Sequence, residues 1–159
     1  MNKRALIKKI VSRLTQELAV YFRAVQASHA EATHEQSKAE NKYDTRGLEA
    51  PYLARGQSRQ AAEIQGAIAA FEKLGARQFG AGDPIEIGAF VELELNGEKM
   101  AYFIGPRAGG MEVFHDKREV TVITPQSPLG EQLLGRKQGN VLKLKLGGAR
   151  NQYQVAMVV

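Results

Sequence analysis

The chain has 159 residues and no cysteine, which excludes disulfides and thiolate metal sites. It also lacks any apolar run near the roughly 20 residues that cross a bilayer. A signal-peptide core is missing too, because Lys3 and Arg4 are followed only by Ala5, Leu6 and Ile7 before lysine returns. These absences predict a cytoplasmic protein with no membrane contact. Histidines are few and poorly placed for metal. His29 and His34, five apart, fall about 140° apart around a helix, and His115 stands alone beside Asp116, where it reads as a turn residue. No Ser/His/Asp or Cys/His grouping points to nucleophilic catalysis. Gly80-Ala81-Gly82 and Gly147-Gly148 lack the strand, spacing and helix of a nucleotide loop and read as linker and hairpin turn.

Glycine and proline are absent from the first 46 residues, so nothing there interrupts a helix. Asn2 is placed to cap it. Ile7, Val11, Leu14, Leu18, Tyr21 and Val25 then recur at alternating spacings of four and three, the a/d seam of a coiled coil. The same register continues through Ser28, Ala32, Glu35 and Ala39, small or polar residues. A return seam runs Leu53, Gln57, Gln60, Ile64, Ala67, Phe71 and Leu74, with Gly75 as C-cap. Gly47 and Pro51 lie between the runs, so residues 1–75 read as an antiparallel helical hairpin with its tip near 44–51, apolar at the base and thin at the tip. A helix from residue 3 to 42 would reach roughly 60 Å at about 1.5 Å per residue. Two matching seams in one chain predict an intramolecular pair and a monomer.

The formal charge of +5 is uneven: residues 1–75 hold 12 bases and 8 acids, and residues 76–159 hold 10 and 9. Around the tip lie three acids, Glu40, Asp44 and Glu49, and five bases, Lys38, Lys42, Arg46, Arg55 and Arg59. So many charges belong either to a solvated tip or to one that touches a charged partner. Lys38 and Lys42 share a helix face, as do Arg55 and Arg59, a spacing suited to RNA phosphates and equally to a mixed-charge surface. Tyr43 and Tyr52 flank the turn.

After Gly75 the period changes. FVELEL (90–95) alternates, Asn96-Gly97 is a strong hairpin signal, and KMAYFI (99–104) is its partner. Further strands are expected at 111–114, 120–124, 141–146 and 153–159, with a short helix opened by Ser127-Pro128. The chain is therefore predicted to be α+β: a coiled-coil hairpin over 1–75, then a small antiparallel sheet domain with one short helix over 76–159.

Ser127-Pro128-Leu129-Gly130, Leu133-Leu134-Gly135 and Gly139, following a helical hairpin of this length, resemble the C-terminal signature of the Gre transcript-cleavage factors of bacterial RNA polymerase. The resemblance covers nearly the whole chain. It implies an FKBP-like sheet domain that docks on the polymerase through the region of Ser127, Pro128, Leu129, Gly130 and Gly135. It also implies a coiled coil that enters the secondary channel and meets the nascent RNA. The protein would then be no enzyme itself but an accessory factor stimulating the polymerase's own nuclease. It would bind no cofactor alone, and its tip carboxylates would share Mg²⁺ with the polymerase active site. The family's tip motif is Asp-Leu-Ser-Glu. Here Asp44 matches the first acid, Thr45 and Arg46 follow, and Gly47 stands where the second acid belongs, with Glu49 and Glu40 as substitutes. A non-cleaving regulator that competes for the channel, as in the similar Rnk-like proteins, is the alternative. A stand-alone FKBP-like prolyl isomerase is a third reading, against which stands the short supply of aromatics in the sheet domain: Phe90, Tyr102, Phe103, Phe114 and Tyr153.

Overall fold

The computed structural model describes residues 1–35 and 59–159. Helix α1 spans Lys3–Glu35 and opens on the expected cap, with Ala5 N–H donating to Asn2 Oδ1 at 3.0 Å and Leu6 N–H to the Asn2 carbonyl at 3.2 Å. Helix α2 covers residues 59–74 and ends at Gly75, whose φ of 70° favours glycine. Contacts divide the chain into two units: Met1–Ile10 with Ala70–Val159, and Val11–Ala69.

In the second unit the expected seam is met in α1 and only in part in α2, where Ala61 is buried in place of the expected Gln60, which is exposed; Ala39, Leu53 and Gln57 lie outside the described residues. Leu14 is buried, Leu18, Tyr21 and Val25 are half-buried, and Ala61 and Ala67 of α2 are buried. Arg13, Gln16 and Tyr21 share a groove with Gln60 and Ile64, so α1 and α2 run side by side. The packing grades as expected within the described residues, since Ser28 is already exposed.

Near the start of α1 the buried stripe departs from the predicted one. Lys3, Leu6 and Ile10 are fully or almost fully buried, while Ile7 and Val11 are only half-buried. The first turns of α1 belong to the sheet unit, so the face set by the sheet, and not the coiled-coil seam, decides which residues go inside. Lys3 Nζ donates to the Gly88 carbonyl at 2.9 Å and Lys9 Nζ to the Phe114 carbonyl at 3.1 Å, fixing the helix to this unit at two points.

The sheet has six strands: β1 Phe90–Leu95, β2 Glu98–Ile104, β3 Glu112–His115, β4 Arg118–Ile123, β5 Val141–Leu146 and β6 Ala149–Val158, in the order β3-β4-β2-β1-β6-β5. Asn96 and Gly97 turn the β1–β2 hairpin with φ of 51° and 84°, the pair of positive values a type I′ turn needs. The antiparallel sheet expected from the sequence is corrected at one pairing: β2 and β4 are parallel. The β3–β4 hairpin attaches through its second strand, so the loop at 105–110 must carry the chain across two strand spacings, about 10 Å.

Both faces of the sheet are covered. Val91, Leu93, Tyr153 and Val155 point into a core closed by Leu133 of helix α3 (Pro128–Leu133) and by Phe79 and Ile85, so the glycine-rich stretch read as a linker contributes two core side chains. On the opposite face Phe71 of α2 stacks on Phe103, ring centroids 6.4 Å apart.

Candidate functional site

Helix α3 is held by its own first residues. Ser127 Oγ accepts from Gly130 N–H at 3.0 Å and donates to the Thr124 carbonyl at 2.7 Å, while Pro128 occupies the first turn, where no N–H is required. Gly130 is forced by space. A Cβ there would stand 1.9 Å from the Thr124 carbonyl oxygen. Gly135, at φ 83°, turns the chain so that its N–H reaches the Ile85 carbonyl at 2.9 Å and the Arg136 carbonyl accepts from Ile85 N–H at 2.8 Å. Leucine-glycine here is turn chemistry.

Between α3 and the β5–β6 hairpin lies an open groove of about 630 Å³. Ile123, Leu129, Leu144 and Leu146 make it apolar, Ser127 and Pro128 form one lip, and Lys143, Lys145 and Arg150 edge the other. An apolar trough with cationic edges suits a partner segment that carries aliphatic side chains and acids. Of the five residues expected to dock, Ser127, Pro128 and Leu129 line this groove. Gly130 and Gly135 shape the backbone beneath and do not line it. The contribution of β5 was legible as the alternation VLKLKL on a strand, but nothing in the sequence paired that strand with α3.

Two buried charges set the electrostatics of the sheet unit. Glu92 on β1 is 4% exposed and receives Arg118 Nη1 at 2.5 Å and Lys99 Nζ at 3.2 Å. Burial pushes its carboxyl upward, but the hydrogen bonds and charges of Arg118 and Lys99 outweigh that and hold it below the ordinary carboxylate value. Lys3 is 1% exposed, with its ammonium 4.6 Å from the Phe79 ring centroid. Burial, and secondarily the Arg77 charge, lower it to about 8. His115, expected in a turn, is instead the last residue of β3 and buried. Its Nε2 lies 3.4 Å from Asp116 Oδ2, and Asp116 and Lys117 make the turn at φ 51° and 66°. The signal was the alternation Val113, His115, which puts both on the inner face.

No family model matches the chain. The transcription inhibitor protein Gfh1 of Thermus thermophilus is 28% identical over 159 residues, covering 96% of this chain and 95% of its own. The same protein, solved as GreA factor homolog 1, superposes with a TM-score of 0.39 at 26% identity over 94% of each chain. The chain is similar to Gfh1 from end to end. A GreA/GreB elongation factor of Nitrosomonas europaea superposes with a TM-score of 0.36 at 16% identity, over 69% of this chain and 90% of that one. Superpositions this loose carry no fold argument, and the likeness that bears on this chain is the end-to-end sequence match to Gfh1.

Of the residues expected at the tip, Lys38, Glu40, Lys42, Asp44, Arg46, Glu49 and Arg55 lie outside the described residues. Arg59, the first described residue of α2, is exposed. Among the described residues no three His, Cys, Asp or Glu side chains cluster to hold a metal ion, and no helix is long and apolar enough to cross a membrane.

Proposed function

We propose that this Gre-family homologue is a transcription factor that binds RNA polymerase through its sheet unit and restrains elongation through its helical hairpin, without cleaving the transcript. The observation that carries this reading is the end-to-end match to a protein described as a transcription inhibitor, in a chain where Gly47 replaces the second tip acid. The groove between α3 and β5–β6 is the docking surface, with Ser127, Pro128 and Leu129 at the contact. Helix α1, about 50 Å long over its 33 described residues, supplies reach for insertion into the secondary channel. Lys38, Lys42, Arg46, Arg55 and Arg59 face the nascent RNA.

A second reading, stimulation of transcript cleavage, is supported by Asp44 with Glu49 or Glu40 nearby. Their carboxylate oxygens are donors a hard Mg²⁺ accepts, and held jointly with polymerase the ion would polarise a phosphodiester and its attacking water. A stalled elongation complex decides between the two. Slowed extension with an intact transcript supports inhibition, and shortened transcripts at any Mg²⁺ concentration support cleavage. Failure to co-purify with core polymerase at low salt overturns both.

A further inference from the structure

The near-even charge of the C-terminal half conceals a segregation. Residues 76–131 hold five bases and nine acids, whereas residues 132–159 hold Arg136, Lys137, Lys143, Lys145 and Arg150 and no acid at all. Strand alternation then sorts the last three of these. Leu142, Leu144, Tyr153 and Val155 turn into the core, which leaves Lys143, Lys145, Arg150, Gln152 and Gln154 exposed on one outer face of the β5–β6 ribbon. Lys145 sits directly opposite Arg150 in the register and Lys143 opposite Gln152. Like charges placed opposite one another weaken a strand pair. None of the three cations forms an ion pair or a side-chain hydrogen bond among the described residues, and β5 is the edge of the sheet.

We propose that this ribbon face is a contact surface for the phosphate backbone of duplex DNA. Lysine, arginine and glutamine are the side chains that meet phosphate and sugar oxygens, and a ribbon face that keeps like charges adjacent with no acid of its own fits a polyanion, the neighbouring acid being Glu94 of β1, opposite Gln154. A protein partner would call for aromatic or apolar anchors at the centre of the patch, and Val141, 58% exposed, is the one large apolar side chain there. Single strands are bound by stacking bases on aromatic rings, and Tyr153, the ribbon's aromatic residue, is buried. Lys143, Lys145 and Arg150 also edge the groove read above as the polymerase-docking surface, so co-purification of the variant with core polymerase is what separates loss of the duplex contact from loss of docking.

The test is fluorescence anisotropy of the full chain with a labelled DNA duplex over a salt series, comparing wild type with the triple variant Lys143→Gln, Lys145→Gln, Arg150→Gln. All three side chains are exposed, and circular dichroism confirms that the variant folds. Three phosphate contacts contribute about 2.7 to the log-log salt slope, so a fourfold rise in salt costs wild type roughly 40-fold more affinity than the variant. A control of equal charge change at exposed sites elsewhere, Lys8→Gln, Arg13→Gln, Lys73→Gln, should keep the wild-type slope. The proposal is overturned by any of three results: an unchanged slope in the ribbon variant, an equal loss in the control, or a loss of single-stranded RNA or polymerase binding with duplex binding intact.

Discussion

Lys3→Met removes a buried charge while keeping an unbranched stem against Phe79, and its effect should depend on pH in a defined direction. The ammonium holds its proton to about pH 8 in the folded protein and to the ordinary 10.5 when unfolded. Between those values the unfolded chain binds more protons, so wild-type stability rises with pH across that window and is flat outside it. At about 1.4 kcal/mol per pH unit the full rise is on the order of 3 kcal/mol, of which about 2 falls between pH 7 and pH 9.5. The hydrogen bond to Gly88 survives deprotonation, because a neutral amine still donates. The variant lacks the titrating group and therefore the slope. Urea unfolding followed by circular dichroism at pH 7 and pH 9.5 should show wild type gaining on Lys3→Met by about 2 kcal/mol. A difference that stays constant or shrinks with pH would refute the reasoning, since it would mean that the buried ammonium is not destabilised in the folded state.

Gly130→Ala should cost about 3 kcal/mol, read as a lowered urea midpoint, because the added methyl meets backbone oxygen that cannot step aside. Glu92→Gln should cost about 2 kcal/mol at pH 7, less than for a fully enclosed pair since Lys99 and Arg118 reach solvent. The low carboxyl value of Glu92 lends wild type an advantage above the ordinary carboxylate range that is lost as pH falls through the lowered value, so the two proteins should converge in acid. Phe71→Ala should cost about 4 kcal/mol, whereas Phe22→Ala, at a side chain 44% exposed, should stay within about 0.5 kcal/mol. Equal losses from Phe71 and Phe22 would remove the case for a packed helix–sheet contact.

What the sequence disclosed was whatever local spacing controls. Asn2, Gly75, Asn96-Gly97 and Ser127-Pro128 each announce an element end through their own backbone chemistry, and the heptad spacing from Leu14 onward holds because helix packs on helix there. What stayed hidden depends on distant partners. Leu6 and Ile10 displace Ile7 and Val11 as the most buried residues because a sheet some eighty residues away in sequence decides the face. Glu92 reads as the solvent side of an alternating strand, yet both faces of β1 are covered and the carboxylate is retained by Arg118 and Lys99. The parallel β2–β4 pair leaves no local mark, since either neighbour of a hairpin looks the same from within it. Ser127, Pro128 and Leu129 were legible as a motif, while the opposite wall of their groove, Leu144 and Leu146, was not, because pairing a helix with an edge strand is a tertiary fact.

The division of the chain makes residues 11–69 an insertion in the sequence of the sheet unit. The host is assembled from Met1–Ile10 and Ala70–Val159, on either side of the inserted segment in the sequence. Trimming the chain to begin after residue 75 would strip Leu6, Ile10 and Phe71 from the host and uncover Phe103. Replacing residues 11–69 with a short loop would leave that core whole. The length of the second unit can therefore change while the side chains that fill the core of the first stay in place.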